Sequence, residues 1–241
     1  MSPGLHAAYR ELRRLGDVTI VAPDAERSAA GHAITIFTPL RVKEFVRGGR
    51  RLGYSIDGTP ADCVKLAFSS LLEKRPDLVV SGINLGPNVG NSVIYSGTVS
   101  AATEARILGV PSMAVSLGTF DNPIWTVAAQ LTRRVARAIL EHRLPTKVLV
   151  NVNVPNLERN KIKGIKVARM GNSGYVDNFI AHTDPGSHQS YILKAIYKIS
   201  DDDLDTDAAA LAAGWVTLTP ITFDLTAYES LEDVAGWKLK L

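Results

Sequence analysis

From Val18 to Val154 short apolar runs alternate with amphipathic helical patterns, and this alternation restricts the chain to few architectures. Val18–Ala22, Pro76–Val80, Ser112–Leu117 and Lys147–Val154 read as strands. Within the second of them Leu78-Val79-Val80 is apolar without a break, as a parallel strand covered on both faces requires. Helices are expected from Pro60 through Leu71, over Val99–Leu108 and over Ile124–His142, the first with Thr59 as N-cap and Pro60 in its opening turn. The order predicts an α/β fold, a doubly wound and mostly parallel sheet whose ligands bind in loops at the carboxyl ends of the strands.

The beginning departs from that scheme. Leu5, Ala8, Tyr9, Leu12 and Leu15 recur at helical spacing and Gly16 stands where a C-terminal cap belongs, so the chain opens on a helix. A doubly wound sheet grows outward from a central first strand, and the helix here is the one that should follow it. That strand is expected to precede Met1 and to be missing from this reading of the gene. After Lys161 the pattern changes again. Lys163–Met170 and Gln189–Ile199 alternate polar and apolar positions with no long helix between, which predicts an antiparallel excursion. A helix over Ala208–Ala213, stopped by Gly214, and a strand over Trp215–Thr219 close the pattern. The expected division is a core over 1–155, an antiparallel β arm over 156–205 and a helix-and-strand segment over 206–241.

Composition narrows the function classes. Cys63 is the single cysteine, which leaves no internal disulfide or Cys-based zinc site and fits a reducing, cytoplasmic compartment. No apolar stretch has the length of a membrane span, and Arg10, Glu11, Arg13 and Arg14 interrupt the N-terminal segment where a signal peptide needs unbroken apolar residues. A net charge of +3 is scattered over 27 basic and 24 acidic residues, which gives no footprint for specific nucleic-acid binding. The cluster Arg47, Arg50 and Arg51 reads as a solvated turn.

Four segments fall at the expected carboxyl ends of strands or at helix entries. Ala22–His32 mixes Ser28 and His32 with small residues and reads as a polar loop or a ligand loop. His32 has the chemistry of a general acid or base, and equally that of a hydrogen-bonding loop residue. Ser81–Asn91 carries Gly82, Gly86 and Gly90 with Asn84, Asn88 and Asn91; the Asn oxygens suit a hard divalent cation, and the alternative is a flexible turn. Tyr95–Ser100 enters a helix, where free amides and the dipole favour an anion and Ser96 and Thr98 could add hydroxyl donors, or where Ser96 is a plain N-cap. Asp57–Cys63 is turn and capping chemistry, with Cys63 on the helix as a small buried residue. The acidic run Asp201, Asp202, Asp203, Asp205 and Asp207 reads as a solvated loop before a helix rather than a metal cluster. Neither a Walker loop nor a complete dinucleotide fingerprint occurs.

Taken together these segments resemble the SurE family of stationary-phase survival proteins, metal-dependent 5'/3'-nucleotidases. The strings that carry the resemblance are Ile20-Val21-Ala22-Pro23, the Arg27-Ser28 to His32 loop, Asp57–Cys63, Ser81-Gly82-Ile83-Asn84 with Gly86, Asn88 and Gly90, Ile94–Val99, and late Thr206-Asp207 and Thr219-Pro220. The resemblance implies a Rossmann-like core that hydrolyses nucleoside monophosphates with one Mg or Mn ion per subunit. It implies a homodimer or homotetramer in which the arm over 156–205 supplies oligomerisation hairpins and the segment over 206–241 returns to the core or exchanges with a partner subunit. It places Ser28 and Asn84 on the metal and Ser96, Gly97 and Thr98 on the phosphate. The adjacent Asp pair of the family pattern has no match; it should precede Ser2-Pro3-Gly4, just after the absent first strand. Activity is therefore expected to be impaired in the chain as written. The competing expectation is a catalytically inactive relative that binds a nucleotide or an oligomeric partner.

Overall fold

The computed structural model describes residues 1–27, 29–142, 144–176, 178–183, 189–194, 196–200, 203–237 and 239. Helix α1 (Pro3–Leu12) begins at Ser2, whose Oγ accepts the Leu5 amide at 3.3 Å. It leads to β1 (Ile20–Pro23), which pairs in parallel with β3 (Arg50–Ile56), itself antiparallel to β2 (Val42–Arg47). The β2–β3 hairpin has no counterpart among the strands that the sequence pattern predicts. Its apolar positions Leu52, Tyr54 and Ile56 alternate with polar ones on an open sheet and leave no continuous apolar run. Arg47 and Arg50 flank the hairpin turn, whereas Arg51 is part of β3, 2.8 Å from Glu44 and with its guanidinium 5.4 Å from the Tyr54 ring centroid.

Helix α2 (Pro60–Leu66) starts at Thr59 as the sequence predicts and runs into a wider turn over Ala67–Leu71. The main sheet then forms from β4 (Val79–Leu85), β5 (Ser112–Gly118) and β6 (Val148–Pro155), all parallel, with α3 (Gly97–Ile107) and α4 (Trp125–His142) as crossovers. Strand β4 runs to Leu85 rather than stopping at Val80. Pairing of Asn84 and Leu85 with Ser116 and Leu117 extends it through residues whose Gly and Asn content reads locally as loop. Next come β7 (Gly164–Val167), β8 (Gly174–Val176), β9 (Phe179–Thr183), β10 (Gln189–Leu193), β11 (Ile196–Lys198), α5 (Asp207–Ala212), β12 (Trp215–Thr222) and α6 (Leu231–Ala235).

The five-stranded order is β4-β5-β6-β12-β7, with β12 antiparallel to β6 and β7 parallel to β12. Gly164–Val167 therefore belongs to the edge of the main sheet, not to the antiparallel excursion. An edge strand with one wetted side alternates in polarity as a hairpin strand does, so periodicity does not separate the two. The antiparallel pairs are β9 with β10 and β8 with β11. Strands β1 and β4 each terminate a separate sheet. The class is α/β with a parallel-dominated sheet, as the alternation predicts.

The core lies on both faces of the main sheet. Met113, Val115, Leu117, Val152 and Val154 pack with Ala128, Val135, Ala136 and Ile139 of α4, and Ala114 and Leu149 pack on the opposite face with Val99 and Ala102 of α3. A polar row interrupts this apolar surface. Asn84 lies opposite Ser116, Ser116 opposite Asn153, and Asn153 opposite Thr217, so the row crosses β4, β5, β6 and β12. Asn88, in the loop after β4, is fastened to it. The Asn88 amide donates to Asn153 Oδ1 at 2.8 Å and its Nδ2 to Ser116 Oγ at 2.7 Å. Its carbonyl accepts from Asn151 Nδ2 at 2.8 Å and Asn153 Nδ2 at 3.0 Å. All of these groups are buried, so each bond also removes the cost of an unpaired polar group. Among the described residues no helix is long and apolar enough to cross a membrane.

Asn153→Ala strands the amide of Asn88 in the interior and removes one of the two donors to its carbonyl, leaving Asn151 as the other. The expected result is a loss of about 2–4 kcal/mol in urea unfolding and faster hydrogen exchange at the Asn88 amide, while Met113 and Val152 remain protected.

Candidate functional site

Asn84 is the penultimate residue of β4 and half-buried. Its Nδ2 donates to the carbonyls of Gly86 at 2.8 Å and Leu85 at 3.2 Å. That fixes the amide orientation and turns Oδ1, the atom a hard cation would take, away from the loop backbone. Asn88 has a different role: its amide, its carbonyl and its Nδ2 are engaged in the buried row, so it holds the loop in place.

The entry of α3 lies at the same end of the sheet. Ser96 is its N-cap, buried, with Oγ accepting the Val99 amide at 3.2 Å. The plain capping reading is thus realised at Ser96, and Gly97 and Thr98 occupy the first turn, half-buried, where free amides and the positive dipole end favour an anion. Gly97 is also a point of close approach. A Cβ there would lie 3.0 Å from Pro60 Cγ and 3.5 Å from the Arg27 carbonyl oxygen, so α2 and the loop after β1 both press against the mouth of α3. The Gly31 amide donates to the Tyr95 carbonyl at 3.1 Å, a second tie between that loop and the α3 entry. Ser28 lies outside the described residues, as do Asp201, Asp202 and His188; the ties at Arg27 and Gly31 bracket Ser28 in sequence.

Two buried acids anchor the rest of the loop. Glu104, on α3 with its side chain 5% exposed, accepts His32 Nε2 at 2.8 Å and Lys65 Nζ at 3.0 Å. The structure therefore uses His32 as a tether to the middle of α3. Asp62 accepts the Thr35 amide at 2.9 Å, Thr35 Oγ1 at 2.7 Å and the Thr59 amide at 2.9 Å. Thr59 Oγ1 in turn accepts the Asp62 amide at 3.0 Å and donates to the Ala33 carbonyl at 2.7 Å. Burial opposes ionisation of Asp62, but the bonds from Thr35 and Thr59 outweigh it and hold the carboxyl below its ordinary value.

Cys63 is buried, and burial, then the charges of Asp62 and Asp24, pushes its thiol up to about 12, which removes it as a nucleophile. Asp207 is fully buried and accepts the amides of Gly90 at 2.9 Å, Gly171 at 3.1 Å and Ala208 at 2.8 Å. It stitches α5 to the loop after β4. Burial raises its carboxyl even so. Asp205 pairs with Arg169 at 2.9 Å. Among the described residues no three His, Cys, Asp or Glu side chains are grouped to hold a metal ion. Sequence reasoning missed the anchoring roles of Asp62 and Glu104. The capping-box spacing from Thr59 to Asp62 signals the first in part, whereas Glu104 meets partners 39 and 72 residues away and has no local signature.

The family profile described as Survival protein SurE matches residues 1–177. The chain belongs to the SurE family. It is 46% identical over 236 residues to the 5'-nucleotidase SurE of Syntrophobacter fumaroxidans, covering 98% of this chain and 94% of that protein. To the 5'-nucleotidase SurE of Syntrophus aciditrophicus it is 49% identical over 95% of this chain and 86% of the relative. The crystal structure of the SurE protein from Aquifex aeolicus superposes with a TM-score of 0.86 at 38% identity, covering 99% of this chain and 96% of that one. The SurE assignment thus spans the core, the hairpins and the C-terminal strand.

In this SurE chain Asp62→Asn exchanges an acceptor-only carboxylate for a group carrying donors that face other donors. Unfolding near neutrality should lose about 1–3 kcal/mol. Because the ionised form is favoured in the folded chain, the contribution of Asp62 is present above the ordinary value of 3.8 and is lost as pH falls below it. The gap between wild type and variant, read from urea curves across that range, should narrow on acidification.

Proposed function

We propose that this SurE chain is built as a phosphomonoesterase for nucleoside 5'- and 3'-monophosphates. The observation that carries the reading is the convergence of Asn84, the Arg27–His32 loop and the first turn of α3 at one end of the sheet. The first-turn amides around Gly97 and Thr98, with the Thr98 hydroxyl, would receive the phosphate, and the dipole of α3 would favour its charge. Ser96 would act through its cap, holding that turn in place. The names of the relatives, 5'-nucleotidase SurE, support the substrate class.

A divalent Mg or Mn ion is the group the family resemblance implies; bound, it would offset phosphoryl charge and generate the attacking oxygen nucleophile. Asn84 Oδ1 suits such an ion, and Ser28 is the second expected ligand. Both are neutral. Dipoles alone do not compensate a dication at a partly wetted site, and among the described residues no three His, Cys, Asp or Glu side chains are grouped to hold one. The residues present do not complete the site. The acidic pair that the family resemblance implies is the group that would supply that charge. The exposed apolar residues of the hairpins, among them Val176, Phe179, Ile192 and Ile196, and of the C-terminal segment, Leu225 and Trp237, support assembly into a homodimer or homotetramer through the arm and the C-terminal segment. The missing acidic charge also favours a second reading, a nucleotide-binding oligomer without turnover.

The two separate on one comparison. Phosphate release from nucleoside monophosphates with Mn or Mg is measured for the chain from Met1 and for a variant extended at its N-terminus by a strand ending in two adjacent Asp. Slow or no release from the first and metal-dependent release from the second is expected, with Asn84→Ala abolishing the gain while the fold is kept. Full activity from Met1 contradicts the impairment, and inactivity of both supports the binding protein.

A further inference from the structure

We propose that Phe120 is the stacking surface for the base of the nucleotide, a specificity determinant that rests on the nucleotidase reading above. Phe120 follows the end of β5 at Gly118, on the same carboxyl rim of the sheet as Asn84 and the entry of α3. Its ring lies on Gly86. That residue has φ +102°, and a Cβ built there would meet Phe120 Cε1 at 2.3 Å, so the ring rests directly on backbone. Gly86 is held on both sides, its amide donating to the Leu117 carbonyl at 3.0 Å and its carbonyl accepting Asn84 Nδ2 at 2.8 Å. The Phe120 ring and the Asn84 carboxamide therefore flank a single residue.

Phe120 nevertheless remains 59% exposed. Single exposed apolar residues are ordinary, but this one is carried by a stiff loop. Thr119 Oγ1 donates to the Asp121 carbonyl at 2.7 Å and accepts the Asp121 amide at 3.1 Å. Asn156, at the end of β6, accepts the Ile124 amide at 2.7 Å and donates to the Asn122 carbonyl at 3.1 Å. The ring is held out before any ligand arrives, which lowers the ordering cost of binding. A hydrocarbon face beside a candidate cation and phosphate site suits the one apolar, planar part of a nucleotide. Stacking is tolerant of base identity because every base has a π-face, so the site should accept all bases and hold purines more strongly through their larger area.

The test uses the 241-residue chain with adenosine monophosphate and, as the base-free probe, ribose 5-phosphate. Saturation-transfer NMR should show the adenine protons saturated above the ribose protons, with the Kd raised about tenfold by Phe120→Ala and restored by Phe120→Trp. Ribose 5-phosphate binding should be the same in all three proteins. Absent adenine saturation, or equal affinity in Phe120→Ala, overturns the stacking site. Phosphate release is followed in parallel. Adenine binding that depends on Phe120, with no metal-dependent phosphate release even from the variant extended by the strand and its two Asp, keeps the stacking site and removes the nucleotidase reading. Release from both substrates with no sensitivity to Phe120 does the reverse.

Discussion

The clasp on Asn88 is the constraint on which the site depends. Four hydrogen bonds from one loop residue reach β5 and β6, and all of them are buried. A loop rich in glycine would otherwise sample many conformations, and fixing it costs about 1–2 kcal/mol per residue in backbone entropy. The clasp offsets that cost because its partners sit inside the sheet, where an unmade bond would be penalised at full desolvation strength. Asn84 precedes Asn88 and the α3 entry follows it, so the position of both is inherited from a polar row that crosses the sheet beneath them.

The second support comes from the other side. The loop after β1 has little apolar surface of its own, and its order is imposed by two acids on helices, Asp62 on α2 and Glu104 on α3. Both helices also bear on Gly97 or its surroundings, through Pro60 in one case and through chain continuity in the other. The rim is thus closed by helix-borne charges on one flank and by sheet-borne amides on the other. The candidate residues at this rim are thus held from two sides by buried anchors, which is the arrangement a preorganised site requires.

How much of this was legible follows from the range of each interaction. The alternation of strands and helices, the Thr59 start of α2 and the α3 entry are set by neighbours within a few residues, and they read correctly from sequence. The end of β4 did not, since Asn84 and Leu85 are extended by pairing that resumes with β5 beyond an irregularity at Gly82 and Ile83 rather than by their own preference. The place of Gly164–Val167 also depends on a partner far along the chain, β12. Asn88 looked like a ligand candidate because Asn84 is one. Only the register with Ser116 and Asn153 shows it to be structural, and no periodicity encodes that.

The committed acids decide what the rim can do electrostatically. Asp62 is taken up by Thr35 and Thr59, Glu104 by His32 and Lys65, and Asp207 by three amides. Asp57 accepts the Arg41 amide at 2.7 Å, and Asp24 lies 3.6 Å from Arg27. Withdrawing Asp62, Glu104 or Asp207 to serve a cation would release a loop or a helix that shapes the site. Asp62, Glu104 and Asp207 are therefore structural groups rather than spare charge at the rim.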